Sequence, residues 1–286
     1  MSEIYDQTPC TLGEGPLWHP ERGQLFWFDI IGKRLHTRED GRTRSWQFDD
    51  HVSAAGWVGR DELLVASERE LLLFELRTGR AEHVCPLEAE TPATRSNDGR
   101  ADPWGGFWIG TMGKNAESEA GAIYRYYRGE LRRLYGKITI SNAICFSPNR
   151  RHAYFTDTPT RTIRRQTLDR ETGWPEGTPV DWLDLNDEQA NPDGAVVDAA
   201  GNVWNAQWGA GRVACYSPDG VFLSAVAFPG THTSCPAFGG ADLGTLFCTT
   251  ARQGLARGAL DEEPRNGMTF AADGVAKGQA EHRVML

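Results

Sequence analysis

The sequence predicts an all-β fold, a six-bladed β-propeller with four antiparallel strands per blade. Three observations predict it. The chain carries 10 Trp and 32 Gly in 286 residues, with 40% apolar residues. That mix suits many short strands joined by tight turns better than helices. Short apolar runs, rich in aromatics and bounded by Gly, Asp, Asn or Pro, recur along the chain, and runs of that length read as strands. The runs also keep a period. Landmarks at Phe26, Leu64, Phe107, Ala153, Val203 and Leu246 lie 38, 43, 46, 50 and 43 residues apart. Repeats of about 40–50 residues are the signature of propeller blades.

Each unit repeats one inner order. An apolar stretch precedes the landmark by about ten residues: Pro16-Leu17-Trp18, Ala55-Gly56-Trp57-Val58, Gly99-Arg100-Ala101, Ile144-Cys145-Phe146, Ala195-Val196-Val197 and Ala237-Phe238-Gly239. A turn follows, as in His19-Pro20-Glu21-Arg22-Gly23 or Ser147-Pro148-Asn149, and then the landmark strand. Third strands read clearly at Ala122–Tyr126 and Arg212–Tyr216. Three hairpins per unit result. Insertions at 113–120, 170–179 and 255–266 break the rhythm; the first is placed to cover a pocket. No linker divides the chain, so residues 1–286 are expected to form a single β-propeller domain. Residues near Ile4-Tyr5, or the final His282-Arg283-Val284-Met285, are expected to complete a blade made from both chain ends.

Ten to twelve residues before the landmarks stand Glu14, Ser53, Asn97, Asn142, Asp193 and Ser234, all polar and each ahead of an apolar strand. The first strand of a propeller blade lines the central channel, so equivalent residues at its start form a ring at one mouth. Glu14 sits in Gly13-Glu14-Gly15-Pro16, where a turn becomes a strand. Converging carboxylates and amide oxygens suit a hard divalent cation such as Ca²⁺ or Mg²⁺. Zn²⁺ also accepts carboxylates, although no His or Cys joins the ring. Arg95 lies two residues before Asn97 and shares its face on an extended strand. Its guanidinium offers donors to an anionic or hydroxyl-rich ligand. Asp98 faces the other side and reads as turn-forming. His51 and His232 fall near the same mouth in phase, His232 reading better as a hydrogen-bonded loop residue than as a substrate contact. Trp204 and Trp208 read as core before they read as a sugar-stacking wall.

Other chemistries are excluded or weakened. There is no Gly-x-Ser-x-Gly elbow and no His-Glu-x-x-His pair. A net charge of −9 without a basic stripe argues against nucleic acid and anionic membranes. The start, Met1-Ser2-Glu3-Ile4-Tyr5-Asp6, has no signal-peptide pattern, and no apolar run is long enough for a membrane span. Six scattered Cys form no C-x-x-C pair and read as reduced residues of a cytoplasmic protein.

In chain order, Gly13-Glu14-Gly15-Pro16, Arg95-Ser96-Asn97-Asp98-Gly99, Gly110-Thr111-Met112, Ser141-Asn142, Tyr154-Phe155-Thr156-Asp157-Thr158 and Pro192-Asp193-Gly194 resemble the signatures of the senescence-marker-protein (regucalcin)/gluconolactonase family. The resemblance implies a single divalent metal ion (Ca²⁺, Zn²⁺, Mg²⁺ or Mn²⁺) in the channel and hydrolysis of small sugar-acid lactones. It implies Glu14, Asn142 and Asp193 as metal ligands, and Arg95 and Asn97 as a substrate-binding pair. Asn115 stands where animal members carry a ligand-contacting Glu, and Ala143 where Gly is common. Asp193 is the expected catalytic residue, serving as metal ligand and general base, while the metal polarises the carbonyl or activates water. A monomer or weak homo-oligomer is expected. Two rivals stand beside the lactonase: a related propeller phosphotriesterase or arylesterase, and a non-enzymatic metal-binding propeller.

Overall fold

The computed structural model describes residues 2–286. Its strands are numbered in chain order from β1 (Glu3–Asp6). Four antiparallel sheets each take four consecutive strands. The first is β2 (Gly13–His19), β3 (Gln24–Asp29), β4 (Arg34–Glu39) and β5 (Arg42–Gln47). The second is β6 (Val52–Gly59), β7 (Glu62–Ser67), β8 (Glu70–Glu75) and β9 (Ala81–Pro86). The third is β10 (Thr94–Ala101), β11 (Phe107–Gly113), β12 (Gly121–Tyr127) and β13 (Glu130–Ile138). The fourth is β14 (Ser141–Phe146), β15 (His152–Asp157), β16 (Thr162–Thr167) and β17 (Val180–Asp184). The remaining strands are β18 (Asn191–Val197), β19 (Val203–Trp208), β20 (Arg212–Tyr216), β21 (Phe222–Ala227), β22 (His232–Gly239), β23 (Thr245–Ala251) and β24 (Thr269–Asp273). Together with β1 they make one eight-stranded sheet.

This corrects the expected six-bladed count. The arrangement is propeller-like and all-β, but only four sheets stand as separate four-stranded blades. The join within the eight-stranded sheet is an antiparallel pairing of Trp208 in β19 with His232 in β22. Their rings stack with centroids 4.1 Å apart and 20° between planes. The ring contact and the backbone pairing fall on the same two residues. Of the two chain ends, the N-terminal one pairs: β1 runs antiparallel to β24. Residues 282–285 form no strand; the Val284 and Met285 N–H groups donate to the carbonyls of Trp57 and Gly105.

The landmark residues fall in β3, β7, β11, β15, β19 and β23, each the partner of an inner strand. The inner strands β2, β6, β10, β14, β18 and β22 pack side by side, and β22 meets β2, closing a ring. Apolar side chains fill the space between neighbouring sheets. Phe26 and Phe28 of the first sheet pack with Leu63, Val65 and Phe74 of the second. Each fully buried Phe contributes about 2 kcal/mol of apolar burial. No helix among the described residues is long and apolar enough to cross a membrane.

Candidate active site

Every inner strand breaks register with its partner at the same place. The shifts fall between Glu14 and Leu17, Val52 and Ala54, Ser96 and Gly99, Asn142 and Cys145, Pro192 and Ala195, and Thr233 and Pro236. A bulge bends its strand and re-aims the side chain beside it. Here the bulges coincide with the polar ring of the sequence. The backbone meets the need with left-handed residues: Gly15 at φ 53° and Ala143 at φ 58°.

Not all ring members reach the ligand space. Glu14, Asn97, Asn142 and Asp193 line a cavity of about 470 Å³, together with Arg95. Ser53 and Ser234 do not; they join neighbouring strands. Ser53 donates to the Ser96 hydroxyl at 2.8 Å, and Ser234 donates to the Gly13 carbonyl. Asn115 is exposed and donates to Glu117 at 2.9 Å, while its neighbour Ala116 lines the cavity. Trp208 lines the cavity; Trp204 is buried, with its indole N–H donating to Asp198 at 3.0 Å. His232 is held through Nδ1 by the Gln253 carbonyl at 3.0 Å. His51 lies against Glu68 at 2.7 Å.

A hydrogen-bonded chain runs through the polar floor. Arg95 Nη1 donates to Asn97 Oδ1 at 2.8 Å. Asn97 Nδ2 donates to Asn142 Oδ1 at 3.1 Å and to the Ser141 carbonyl at 2.9 Å. Asn142 Nδ2 donates to Thr158 Oγ1 at 2.9 Å, and Thr158 donates to the Pro192 carbonyl at 2.8 Å. The chain thus ends one residue before Asp193. Thr158 is the link that sequence reasoning left without a role. Its only signal was its place in the Asp157-Thr158 pair at the end of β15.

Two aspartates fix the segments that lead into the floor. Asp29 accepts from the Leu12 and Thr11 amides at 3.0 and 2.9 Å, just ahead of Glu14. Asp157 accepts from the Ile140 and Thr139 amides at 2.8 and 3.1 Å, just ahead of Asn142. Beside Asp193, Asn205 Nδ2 donates to the carbonyls of Asp193 and Gly194 at 3.0 and 3.2 Å. Asp98 is not in a turn. It is buried within β10 and accepts from the Ile144 amide at 2.7 Å, holding the backbone inside the bulge between Asn142 and Cys145.

The electrostatics are unbalanced. Burial, and then the nearby Asp98 carboxylate, push Glu14 well above the usual carboxylate range. Burial, then Glu14, then Asp98, raise Asp193 in the same way. Burial pushes Asp98 up to about 6. Among the described residues Arg95 is the one cation lining the cavity, and burial pulls it down to about 10. Its Nε has no partner. Two buried carboxylates, both raised by burial and by Asp98 and one of them also by the other, are a site short of positive charge. No three His, Cys, Asp or Glu side chains gather into a metal cluster among the described residues. The donors at hand are instead two carboxylates and an amide, a set that fits a hard divalent cation better than a soft one.

Comparison with known proteins finds relatives along nearly the whole chain. Residues 12–252 match the model of the SMP-30/Gluconolactonase/LRE-like region. A Rhizobium meliloti (strain 1021) protein, provisionally named a sugar lactone lactonase, is 42% identical over 275 residues, covering 94% of this chain and 92% of the relative. The L-arabinolactonase of Azospirillum brasilense is 37% identical over 290 residues, covering 99% and 95%. Among solved structures, a calcium-binding protein, regucalcin, from Agrobacterium tumefaciens str. C58 superposes with a TM-score of 0.98 at 38% identity, covering 100% of this chain and 98% of the other.

Proposed function

The chain belongs to the SMP-30/gluconolactonase/LRE-like family, and from that premise we propose that it is a divalent-metal-dependent lactonase that opens sugar-acid lactones to the free acids. The observation that carries this reading is the floor of the cavity: two buried carboxylates, both held well above the usual range, beside an arginine. Glu14, Asn142 and Asp193 would hold the cation. When bound, the cation supplies Lewis-acid polarisation of the lactone carbonyl.

The chain's own residues supply the rest. Asp193 takes a proton from the attacking water, whose oxygen bonds to the carbonyl carbon. The ring C–O bond then breaks, and the ring oxygen leaves as a hydroxyl after receiving a proton. Water is thereby added across the ester, and the product is the open hydroxy acid. Arg95 and Asn97 hold the substrate's oxygens, and their mutual bond fixes both side chains before substrate arrives. Asn115, on the loop over the cavity, is proposed as a further substrate contact after release from Glu117.

A second reading, metal binding without turnover, draws on the calcium-binding structural relative. Arg95 weighs against it, because a guanidinium beside a cation site opposes the cation. Acid release from a panel of aldonolactones, measured on chelated protein and with Ca²⁺, Zn²⁺, Mg²⁺ or Mn²⁺ restored, decides between them. Tight metal binding without turnover of any lactone would favour the second reading.

A further inference from the structure

The cavity is two-sided. Among the described residues all of its charge lies on the floor, in Glu14, Arg95 and Asp193. The apolar wall is made of Leu12, Met112, Ile140, Pro159 and Trp208. Leu12 and Ile140 each stand two residues ahead of a floor residue, Glu14 and Asn142. Met112 is bridged to Ile140, and Trp208 pairs with Asn191, two residues ahead of Asp193. The other polar side chains of the lining, Asn97, Asn142, Thr158, Asn191 and Gln253, carry no charge, and Thr158 is already used by Asn142 and Pro192. Two cations close to the lining in sequence or contact are already paired. Lys114 pairs with Glu68, and Arg161 donates to Asn191 at 3.2 Å and to Gln189. Neither of them lines the cavity.

The wall is also stiff. His232 covers one face of the Trp208 indole at 4.1 Å and is itself fixed by the Gln253 carbonyl. Leu12 belongs to an apolar cluster against which Trp208 packs. A rigid aromatic surface beside aliphatic side chains favours C–H faces and rejects unpaired charge.

We propose that this wall sets substrate choice: the lactone carbonyl and ring hydroxyls meet the charged floor, and the far end of the sugar meets the apolar wall. The proposal rests on the lactonase reading above. The class it names is the neutral lactone with an apolar far end, a 6-deoxyhexonolactone. A lactone with a second carboxylate would bring an anion against a wall that has no cation. Trp208 is the specificity-determining residue.

The test uses three lactones of one configuration: the 6-deoxyhexonolactone, the hexonolactone, and the monolactone of the hexaric acid. The expected kcat/KM falls in that order, by about 10-fold for the added hydroxyl and about 100-fold or more for the carboxylate. Trp208→Ala should flatten the first ratio. Ile140→Lys, at a half-buried wall position, should raise the hexaric lactone relative to the other two and so tests the wall without removing a packed aromatic. A wild-type protein that turns over the hexaric lactone as well as the deoxy one overturns the proposal. So does an unchanged ratio in both variants. Calorimetric binding of the same three lactones gives the same order if the wall selects them. Absence of turnover with that binding order intact would defeat the lactonase reading alone, and equal binding of all three would defeat the wall.

Discussion

Asn97 is bonded side chain to side chain with Asn142, the amide nitrogen of the first donating to the carbonyl oxygen of the second at 3.1 Å. The two residues lie on different sheets, in β10 and β14. The bond holds the Asn142 carbonyl while its amide nitrogen is occupied by Thr158. One lone pair of that carbonyl remains for a ligand. Arg95 fixes Asn97 from the other side. The floor is therefore arranged by the protein before anything binds, and such preorganisation favours electrostatic catalysis.

Arg95→Met should separate the two properties of the floor. Loss of a charged hydrogen-bond donor to substrate lowers kcat/KM by about 10- to 100-fold. Loss of positive charge beside Glu14 and Asp193 tightens divalent-cation binding, because Arg95 is among the groups that offset those carboxylates. Steady-state kinetics and cation titration on the same variant check both signs.

The pH dependence follows from the raised carboxylates. Glu14 and Asp193 have folded pKa values above their ordinary 4.5 and 3.8. A carboxylate raised on folding binds more protons in the folded state, so rising pH removes stability. The metal-free protein should lose stability from about pH 4 upward, continuing toward about 8 where Glu14 titrates. Cation binding needs both groups ionised, so its affinity rises over the same window and protons are released. Thermal melts with chelator across that range, and calorimetry in two buffers of different ionisation enthalpy, measure the two effects.

The bulges give a backbone prediction of opposite sign at two sites. A Cβ on Gly15 would lie 2.2 Å from the Ser53 carbonyl oxygen, at φ +53°. Gly15→Ala should cost about 2 kcal/mol or more and displace Glu14. Ala143 already occupies the left-handed region at φ 58°. Ala143→Gly should gain about 0.5 kcal/mol, the relief of left-handed strain less the entropy of glycine. Urea melts on both variants check the signs.

Beneath the floor, Arg100 pairs with Glu281 of the C-terminal segment, and both side chains are buried. Arg100 Nη2 also donates to the carbonyls of Ala195 and Pro236 at 3.3 and 3.4 Å, so the pair ties the tail to β18 and β22. Glu281→Gln leaves a buried guanidinium short of its anion and should cost about 3 kcal/mol. The double variant with Arg100→Met should recover part of that loss in urea melts.

Much of this was legible in the sequence, for physical reasons. Glu14, Asn97, Asn142 and Asp193 share a phase in the repeat, and that phase is the bulge of each inner strand. Arg95 and Asn97 are two residues apart on a strand and do face one cavity. At Asp98 the turn reading failed: it stays out of the cavity that Arg95 and Asn97 line, but it is buried inside β10 beside the register shift after Ser96. Ser53 and Ser234 kept the phase but bond to neighbouring strands, which spacing alone does not reveal. The fusion of two strand groups through Trp208 and His232 is a tertiary contact between residues 24 positions apart, and no local pattern encodes it. Thr158 was legible only as the last residue of a family signature, with no role, because its partners come from β14 and β18.

The central claim is that Asp193 and a divalent cation together open a lactone in this cavity. Acid release from aldonolactones by wild-type and Asp193→Asn proteins, each chelated and then given one equivalent of cation, tests it directly. The account predicts turnover only for the wild type with cation restored, with the variant slower by about 100-fold or more. Equal turnover by the chelated wild type, or by Asp193→Asn, would contradict it.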